Sequence, residues 1–309
     1  MGNLISEENF PMISVIMPVF NGSNYVNASV ESILNQTYKN YEFIIIDDAS
    51  DIETVEKLRF YANLDNRIHL IRNPKNLGIT NSLNLGIRNA KGRYIARMDA
   101  DDISLPNRFQ QQISFLDSHP EVGLLGGRVQ VINDSDEVLY TWKQPVEDQE
   151  IRWMLLLNNP FIHSSVIYRK KILDDHIKFY DNTYLVAQDY DLWVKMLQFS
   201  KGANLPINIL KYRIHQGQTT KSHRRDQYVI HTKISQKAIK EILSLDIPLE
   251  DVQYLCDYFV FKEKLPSTVF LLEIIRKYID LLEKFCSMYS DFVKNNQIRK
   301  HVTKSIALN

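Results

Sequence analysis

Asp99-Ala100-Asp101-Asp102 places three carboxylates in four positions, directly after the apolar, β-type run Tyr94-Ile95-Ala96-Arg97-Met98. Like charges this close repel and raise one another's pKa. The cost disappears if a divalent cation sits among them, because hard cations take carboxylate oxygens. A cation held this way needs an anion to neutralise, and a diphosphate is the common small-molecule answer. The segment therefore reads as a strand end presenting a metal to a nucleotide. A solvated acidic turn would have the same sequence, and one D-x-D does not separate the two.

The elements that must position these acids can be read from apolar periodicity. Strand-like runs at 13–17, 43–46, 68–71 and 93–98 alternate with helical spacing over 25–34, 52–63 and up to Ala90. Short strands separated by helices of this length imply right-handed βαβ units and a mostly parallel sheet. Ligands of such sheets bind at the carboxyl ends of the strands. The second strand ends in Asp47-Asp48 and the fourth in Asp99, Asp101 and Asp102, so two strand ends put carboxylates on that edge. Asp47 to Asp51 also caps the helix that follows.

Beyond the fourth strand the pattern mixes. A helix is expected over 105–118, a strand over 122–132, a helix over 147–157, a strand over 166–168, a helix over 189–199 and a strand over 209–214. This fits a mixed-sheet extension of the same domain. From about Arg224 the signal is helical, and Val269, Leu272, Ile275, Ile279, Leu282 and Phe285 trace one amphipathic stripe. From Phe292 to Asn309 there are no acids, while Lys294, Arg299, Lys300 and Lys304 are present. Such an end can make a peripheral contact with an anionic membrane. The plainer reading is a core-packing helix with a solvated tail.

Composition removes several classes. The chain has 309 residues, 44% of them hydrophobic and 24% charged, enough for a sizeable core. Its 37 basic and 37 acidic residues balance, against nucleic acid as a partner. Cys256 and Cys286 have no metal-type spacing and fit buried thiols in a reducing cytosol. No apolar run reaches membrane-spanning length, and Met1–Pro11 does not read as a secretory signal. Residues 1–6 match the short myristoylation pattern, which matters only in a eukaryotic host. The expected location is cytoplasmic, with the inner membrane face open to the basic tail.

Seven segments together carry a resemblance. They are Val15 to Asn21, Ser32 to Tyr38, Ile46 to Ser50, Asn76-Leu77-Gly78, Asn84-Leu85-Gly86, Ala90-Lys91-Gly92 and Met98 to Asp102. In this order and spacing the chain resembles the family 2 nucleotide-sugar glycosyltransferases over roughly residues 12–220. Leu105 to Phe109 and Tyr212-Arg213-Ile214-His215 are similar to the bacterial exopolysaccharide and O-antigen branch. The resemblance implies a GT-A fold, Rossmann-like, with helices flanking the sheet and a C-terminal helical extension. The implied domains are 1–222, with a nucleotide-binding part at about 12–130 and an acceptor part at 131–222, and a helical region at 223–309.

The resemblance also implies roles. Pro18, Val19, Phe20 and Asn21 would line the nucleoside pocket together with Gly78. Asp48 would accept a hydrogen bond from the base, which suits uracil. Asp99 and Ala100 would lie on the ribose side. Asp101 would be the direct ligand of Mn²⁺ or Mg²⁺, with His215 completing the metal or diphosphate site. In Gln188-Asp189, where the family commonly has Glu-Asp, Asp189 would be the catalytic base. The implied activity is inverting, metal-dependent hexosyl transfer from a UDP-sugar. The acceptor would be a saccharide or lipid-linked saccharide in O-antigen, capsule or other surface polysaccharide. Two other classes compete. A nucleotidyltransferase usually shows a glycine-rich basic loop after strand one, where this chain has Pro18-Val19-Phe20-Asn21-Gly22 without a basic residue. A non-catalytic nucleotide-sugar binder would tolerate loss of Asp101 or Asp189, and both are present.

Overall fold

The computed structural model describes residues 11–217, 224–262 and 268–289. The chain divides into two compact units, Met1–Gln144 with Phe161–Ser222, and Pro145–Pro160 with His223–Asn309. The first holds a nine-stranded sheet.

Its parallel part is built from β1 (Ile13–Val19), β2 (Tyr41–Asp47), β3 (Ile68–Arg72) and β4 (Tyr94–Arg97), in the spatial order β3-β2-β1-β4. β2 is buried along its whole length, as its unbroken apolar run requires of a strand covered on both faces. Ile13, Val15, Met17 and Val19 point to one face. There they join the core formed with α1 (Val26–Leu34), α2 (Ile52–Leu64) and α4 (Arg108–Ser118). The opposite face carries Ile16, on which α3 (Ile79–Asn89) packs so closely that a Cβ on Gly86 would stand 2.5 Å from Ile16 Cγ2. Asp51 caps α2 by accepting the Thr54 amide at 2.8 Å, so Asp47 and Asp48 are left for other work.

The chain leaves β1 toward β2 and β3 and then returns to β4 on the other side of β1. That reversal is a topological switch point, where the loops after β1 and β4 diverge and open a crevice. The sheet continues through β5 (Ile103–Ser104), β6 (Val122–Ile132), β7 (Val138–Trp142), β8 (Ile167–Arg169) and β9 (Lys201–Arg213). This extension is mixed: β8 runs antiparallel to both β4 and β6, whereas β9 runs parallel to β6. The sequence pattern did not reveal β7, whose five residues are all exposed and lack the alternation of a half-buried strand. α6 (Lys170–Ile172), continued by a π turn over Leu173–Ile177, and α7 (Gln188–Met196) complete this unit.

The second unit contains α5 (Asp148–Leu155), α8 (Arg224–Leu243), α9 (Leu249–Cys256) and α10 (Thr268–Met288). α5 therefore belongs with the C-terminal helices, not with the acceptor part of the first domain as expected from sequence. Trp153 packs edge-on against Tyr278 and Phe285, and His231 Nε2 lies 2.7 Å from the Leu157 carbonyl. Cys256 is buried and Cys286 partly so, both as free thiols. The buried face of α10 is Ile274-Tyr278-Leu281-Phe285; the expected stripe shares Phe285 with it and otherwise sits one residue away, with Val269 and Leu272 77% and 64% exposed. α10 is apolar on two adjoining sides, so periodicity alone does not choose between them. The basic tail at 292–309 lies outside the described residues. Among the described residues no helix is long and apolar enough to cross a membrane.

Candidate active site

The three acids after β4 are held in three different ways. Asp102 is fully buried; its Oδ1 accepts the Arg213 amide at 2.8 Å and its Oδ2 accepts the Ser164 hydroxyl. Its backbone carbonyl accepts Ser29 Oγ from α1 at 2.6 Å. Asp101 Oδ2 lies 2.9 Å from His215 Nε2, and Asp99 Oδ1 lies 2.5 Å from Arg97 Nη1. One donor oxygen from each acid falls within 4.8 Å of the others. Burial raises the pKa of both Asp99 and Asp102, and Asp101 adds repulsion to each; Arg97 opposes the rise at Asp99.

Arg213, the last residue of β9, fixes this turn to its neighbours. Nε donates to the Asp101 carbonyl at 2.9 Å and Nη1 to the Asn133 carbonyl at 3.0 Å, while Nη2 pairs with Asp136 at 2.5 Å. Its guanidinium also lies over the Tyr25 ring, 4.8 Å from the centroid. Tyr25 in turn packs 4.9 Å from the His215 ring and donates to Asp134 at 2.6 Å. Gln36 binds the far side, its amide donating to Leu105 O at 2.8 Å and Ser104 Oγ at 3.1 Å. Gln36 thereby ties the end of α1 to the strand that follows the acid turn.

On the β1 side of the crevice, Val19 turns its side chain into the core, and its carbonyl accepts the Asp48 amide at 2.8 Å. Of the segment Pro18–Asn21, Phe20 and Asn21 are exposed and Pro18 is half-buried. Asn21 is left-handed at φ 52° and accepts the Asp51 amide at 2.8 Å. Asp48 is buried and already busy. Oδ1 accepts Asn73 Nδ2 at 2.7 Å and the Leu77 amide at 2.9 Å, and Oδ2 accepts the Gly78 amide at 2.8 Å. A carboxylate has about four acceptor positions, so one on Oδ2 remains for a ligand N–H. Gly78, at φ +84°, makes the turn that brings its amide to Asp48. Asp48→Ala removes three charge-assisted hydrogen bonds at once. It is expected to lower stability by about 2–4 kcal/mol and to speed hydrogen exchange at the Leu77 and Gly78 amides. Unchanged exchange there would show that the loop does not depend on Asp48.

Asp189 lies in the first turn of α7, partly exposed, with Gln188 buried beside it. The turn is aimed by Ala187, held at φ 55°, a conformation that costs an alanine about 1–2 kcal/mol. Ala49, next to Asp48, is similarly held at φ 63°. Such strain gathers where loops are over-determined, as at ligand sites. The Asp189 charge is felt by the Tyr180 phenol, which lies 2.9 Å from His163 Nε2 and is positioned by Asn84 through two 2.9 Å bonds to its backbone. Arg97 acts on the same Tyr180, so Asp99 and Asp189 flank one polar cluster.

Burial, with the Arg97 charge adding to it, pushes the His163 pKa well below its ordinary value. In the range where the unfolded chain binds this proton, the folded chain does not. The stabilisation is complete above the ordinary imidazole pKa and is lost as pH falls below it, by up to about 1.4 kcal/mol per pH unit. His163→Gln is expected to flatten the acid-side fall of unfolding free energy in denaturant melts. His231, also depressed by burial, contributes equally to both proteins. Parallel pH profiles would assign the fall elsewhere.

The residues reached from sequence thus gather along one sheet edge: the β1 and β2 ends, the acid turn and His215. Arg97 and Tyr25 were given no site role by sequence reading, and Arg213 entered it only within Tyr212-Arg213-Ile214-His215. The available signal was an arginine inside the apolar run Tyr94 to Met98. The donor set suits a divalent cation. Asp101 and His215 offer carboxylate oxygen and imidazole nitrogen, Asp99 offers a further oxygen, and Asp102 is fully buried with a protein donor on each oxygen.

A parallel half-sheet, a mixed extension and an acid turn at the switch point are the architecture of a GT-A glycosyltransferase. Solved structures share the fold. S. aureus TarS 1–349 in complex with UDP-GlcNAc superposes with a TM-score of 0.64 at 17% identity, over 88% of this chain and 81% of that one. The mannosyltransferase PcManGT of Pyrobaculum calidifontis, in complex with GDP-Man and Mn²⁺, gives 0.58 at 14%, over 96% and 84%. The chain belongs to glycosyl transferase family 2, whose model matches residues 14–177. It is 33% identical to a glycosyltransferase of Haemophilus influenzae, over 77% of this chain and 76% of that protein. It is 34% identical to the O-antigen biosynthesis glycosyltransferase WbnJ of Escherichia coli, over 68% and 83%.

Proposed function

We propose that this glycosyltransferase is inverting and metal-dependent and takes its sugar, a hexose or N-acetylhexosamine, from UDP. The observation that carries the reading is the meeting of Asp48, the Asp101–His215 pair and the Asn84–Tyr180 contact that leads to Asp189 on one side of one sheet. Asp48 Oδ2 accepts the uracil N–H, and Phe20 and Asn21 flank the base. Asp99 takes the ribose side. Asp101 and His215 would hold Mn²⁺ or Mg²⁺, which when bound supplies Lewis-acid stabilisation of charge on the departing diphosphate.

Asp189 accepts the proton of the acceptor hydroxyl as its oxygen attacks the anomeric carbon. The bond from that carbon to the diphosphate oxygen breaks on the opposite face, so the configuration inverts and UDP leaves. The acceptor is a saccharide, free or lipid-linked, of a surface polysaccharide, a reading supported by the similarity to WbnJ. The basic tail would bring a membrane-borne acceptor close.

The test is product release from a panel of UDP- and GDP-sugars with Mn²⁺, with anomeric configuration followed by NMR. UDP release with inversion is expected. Formation of UTP and sugar 1-phosphate from a UDP-sugar and added pyrophosphate would identify a nucleotidyltransferase, binding without release a non-catalytic protein, and a GDP-sugar preference would remove the uracil role of Asp48.

A further inference from the structure

We propose that Arg97 is a positioning residue for the donor: it holds one oxygen of Asp99 inward and thereby presents the other to the ligand. This rests on the donor reading above.

Arg97 ends β4 and is 1% exposed, yet none of its three guanidinium nitrogens makes an aligned hydrogen bond. Among the described residues its one acidic contact is the 2.5 Å approach to Asp99 Oδ1. A guanidinium does not shed its proton, and burying it unpaired is costly. The groups around it do not relieve the cost. His163, Tyr168 and Tyr180 feel its charge, and Arg108, whose Nη2 donates to the Arg97 carbonyl at 3.0 Å, is itself cationic. Asp99 is therefore the counter-charge that lets Arg97 stay inside.

The dependence is mutual. Asp101 has His215, and Asp102 has Ser164 and the Arg213 amide; among the described residues Asp99 has Arg97. Asp99 is 29% exposed, although its paired oxygen faces a residue that is almost wholly covered. Its remaining oxygen is then the one the crevice reaches. Without Arg97 the carboxylate rotates freely, and a donor must fix it on binding. The acid that Arg97 pairs with lies on the donor side, so the loss falls first on donor affinity.

Arg97→Met is expected to raise the donor KM about 10- to 100-fold, the range for losing a group that orients a ligating side chain, with kcat within about threefold. This is the pattern of lost uniform binding. Arg97→Lys should recover part of it, because an ammonium can still reach Asp99. In thermal melts Asp99→Ala strands the guanidinium and lowers the midpoint, and adding Arg97→Met restores it. In that Asp99→Ala background Arg97→Met should move the affinity for UDP with Mn²⁺, measured by calorimetry, less than about twofold. A wild-type donor KM in folded Arg97→Met, an equal fall in kcat, or additive midpoints would each overturn the proposal. If the wild type turns over no nucleotide sugar, the donor reading fails, while the melts still decide whether the pair exists.

Discussion

Asp189→Asn is expected to lower kcat by about 10²- to 10⁴-fold while UDP binds with unchanged affinity. That range is what a positioned general base contributes. Asparagine has nearly the same shape, so the first turn of α7 keeps its geometry, aimed as it is by the left-handed Ala187 and by the Asn84–Tyr180 bonds. What it lacks is an oxygen that can take a proton from the acceptor hydroxyl. Single-turnover UDP release and calorimetry with UDP measure the two halves separately. Full transfer activity with normal UDP binding would remove Asp189 from the chemistry. Loss of both together would make it a donor-binding residue. A collapse in the unfolding midpoint would make it a helix-capping group. Asp191, two residues on, is a control: it is buried and paired with Lys195 at 2.6 Å, so its replacement should cost stability first.

Much of this site could be read from sequence because strand ends in a parallel sheet share an edge. Once Phe43 to Ile46 and Tyr94 to Met98 are recognised as buried strands, Asp48 and Asp101 must lie on the same side, whatever the details. The reading weakened where side-chain partners come from distant segments. Nothing local marks Asp102 as the group that binds Ser164 and Arg213, 62 and 111 residues away. The local mark of Arg97 is its place inside the apolar run Tyr94 to Met98, and it is easily passed over because arginine in a strand is usually taken as an edge residue facing water. The same limit applied to the helices. The second apolar side of α10 misled the periodicity, and α5 looked like part of the first domain because its partners, Leu157 to His231 and Trp153 to Tyr278, are set by non-local packing.

The role of Asp101 gives the other large expected effect. Asp101→Ala should reduce kcat/KM by about 10³-fold or more, several kcal/mol of lost charge stabilisation. It should also make UDP binding indifferent to EDTA, which in the wild type should weaken it. The argument comes from the company the three acids keep. Asp102 spends both oxygens on Ser164 and Arg213. Asp99 gives one oxygen to Arg97. Asp101 is partly exposed, and among the described residues its carboxylate pairs with the imidazole of His215, itself supported by the Tyr25 ring. A carboxylate beside an imidazole, with repulsion from two neighbouring acids, is the arrangement a divalent cation relieves. His215→Ala should then cost less than Asp101→Ala, about 10- to 100-fold, because it removes the group that orients or completes the set and leaves the charge in place. Equal losses would make the pair one indivisible ligand unit. UDP affinity that ignores EDTA in the wild type would mean that Asp101 and His215 serve only each other, and that the acid turn binds its nucleotide through protein donors alone.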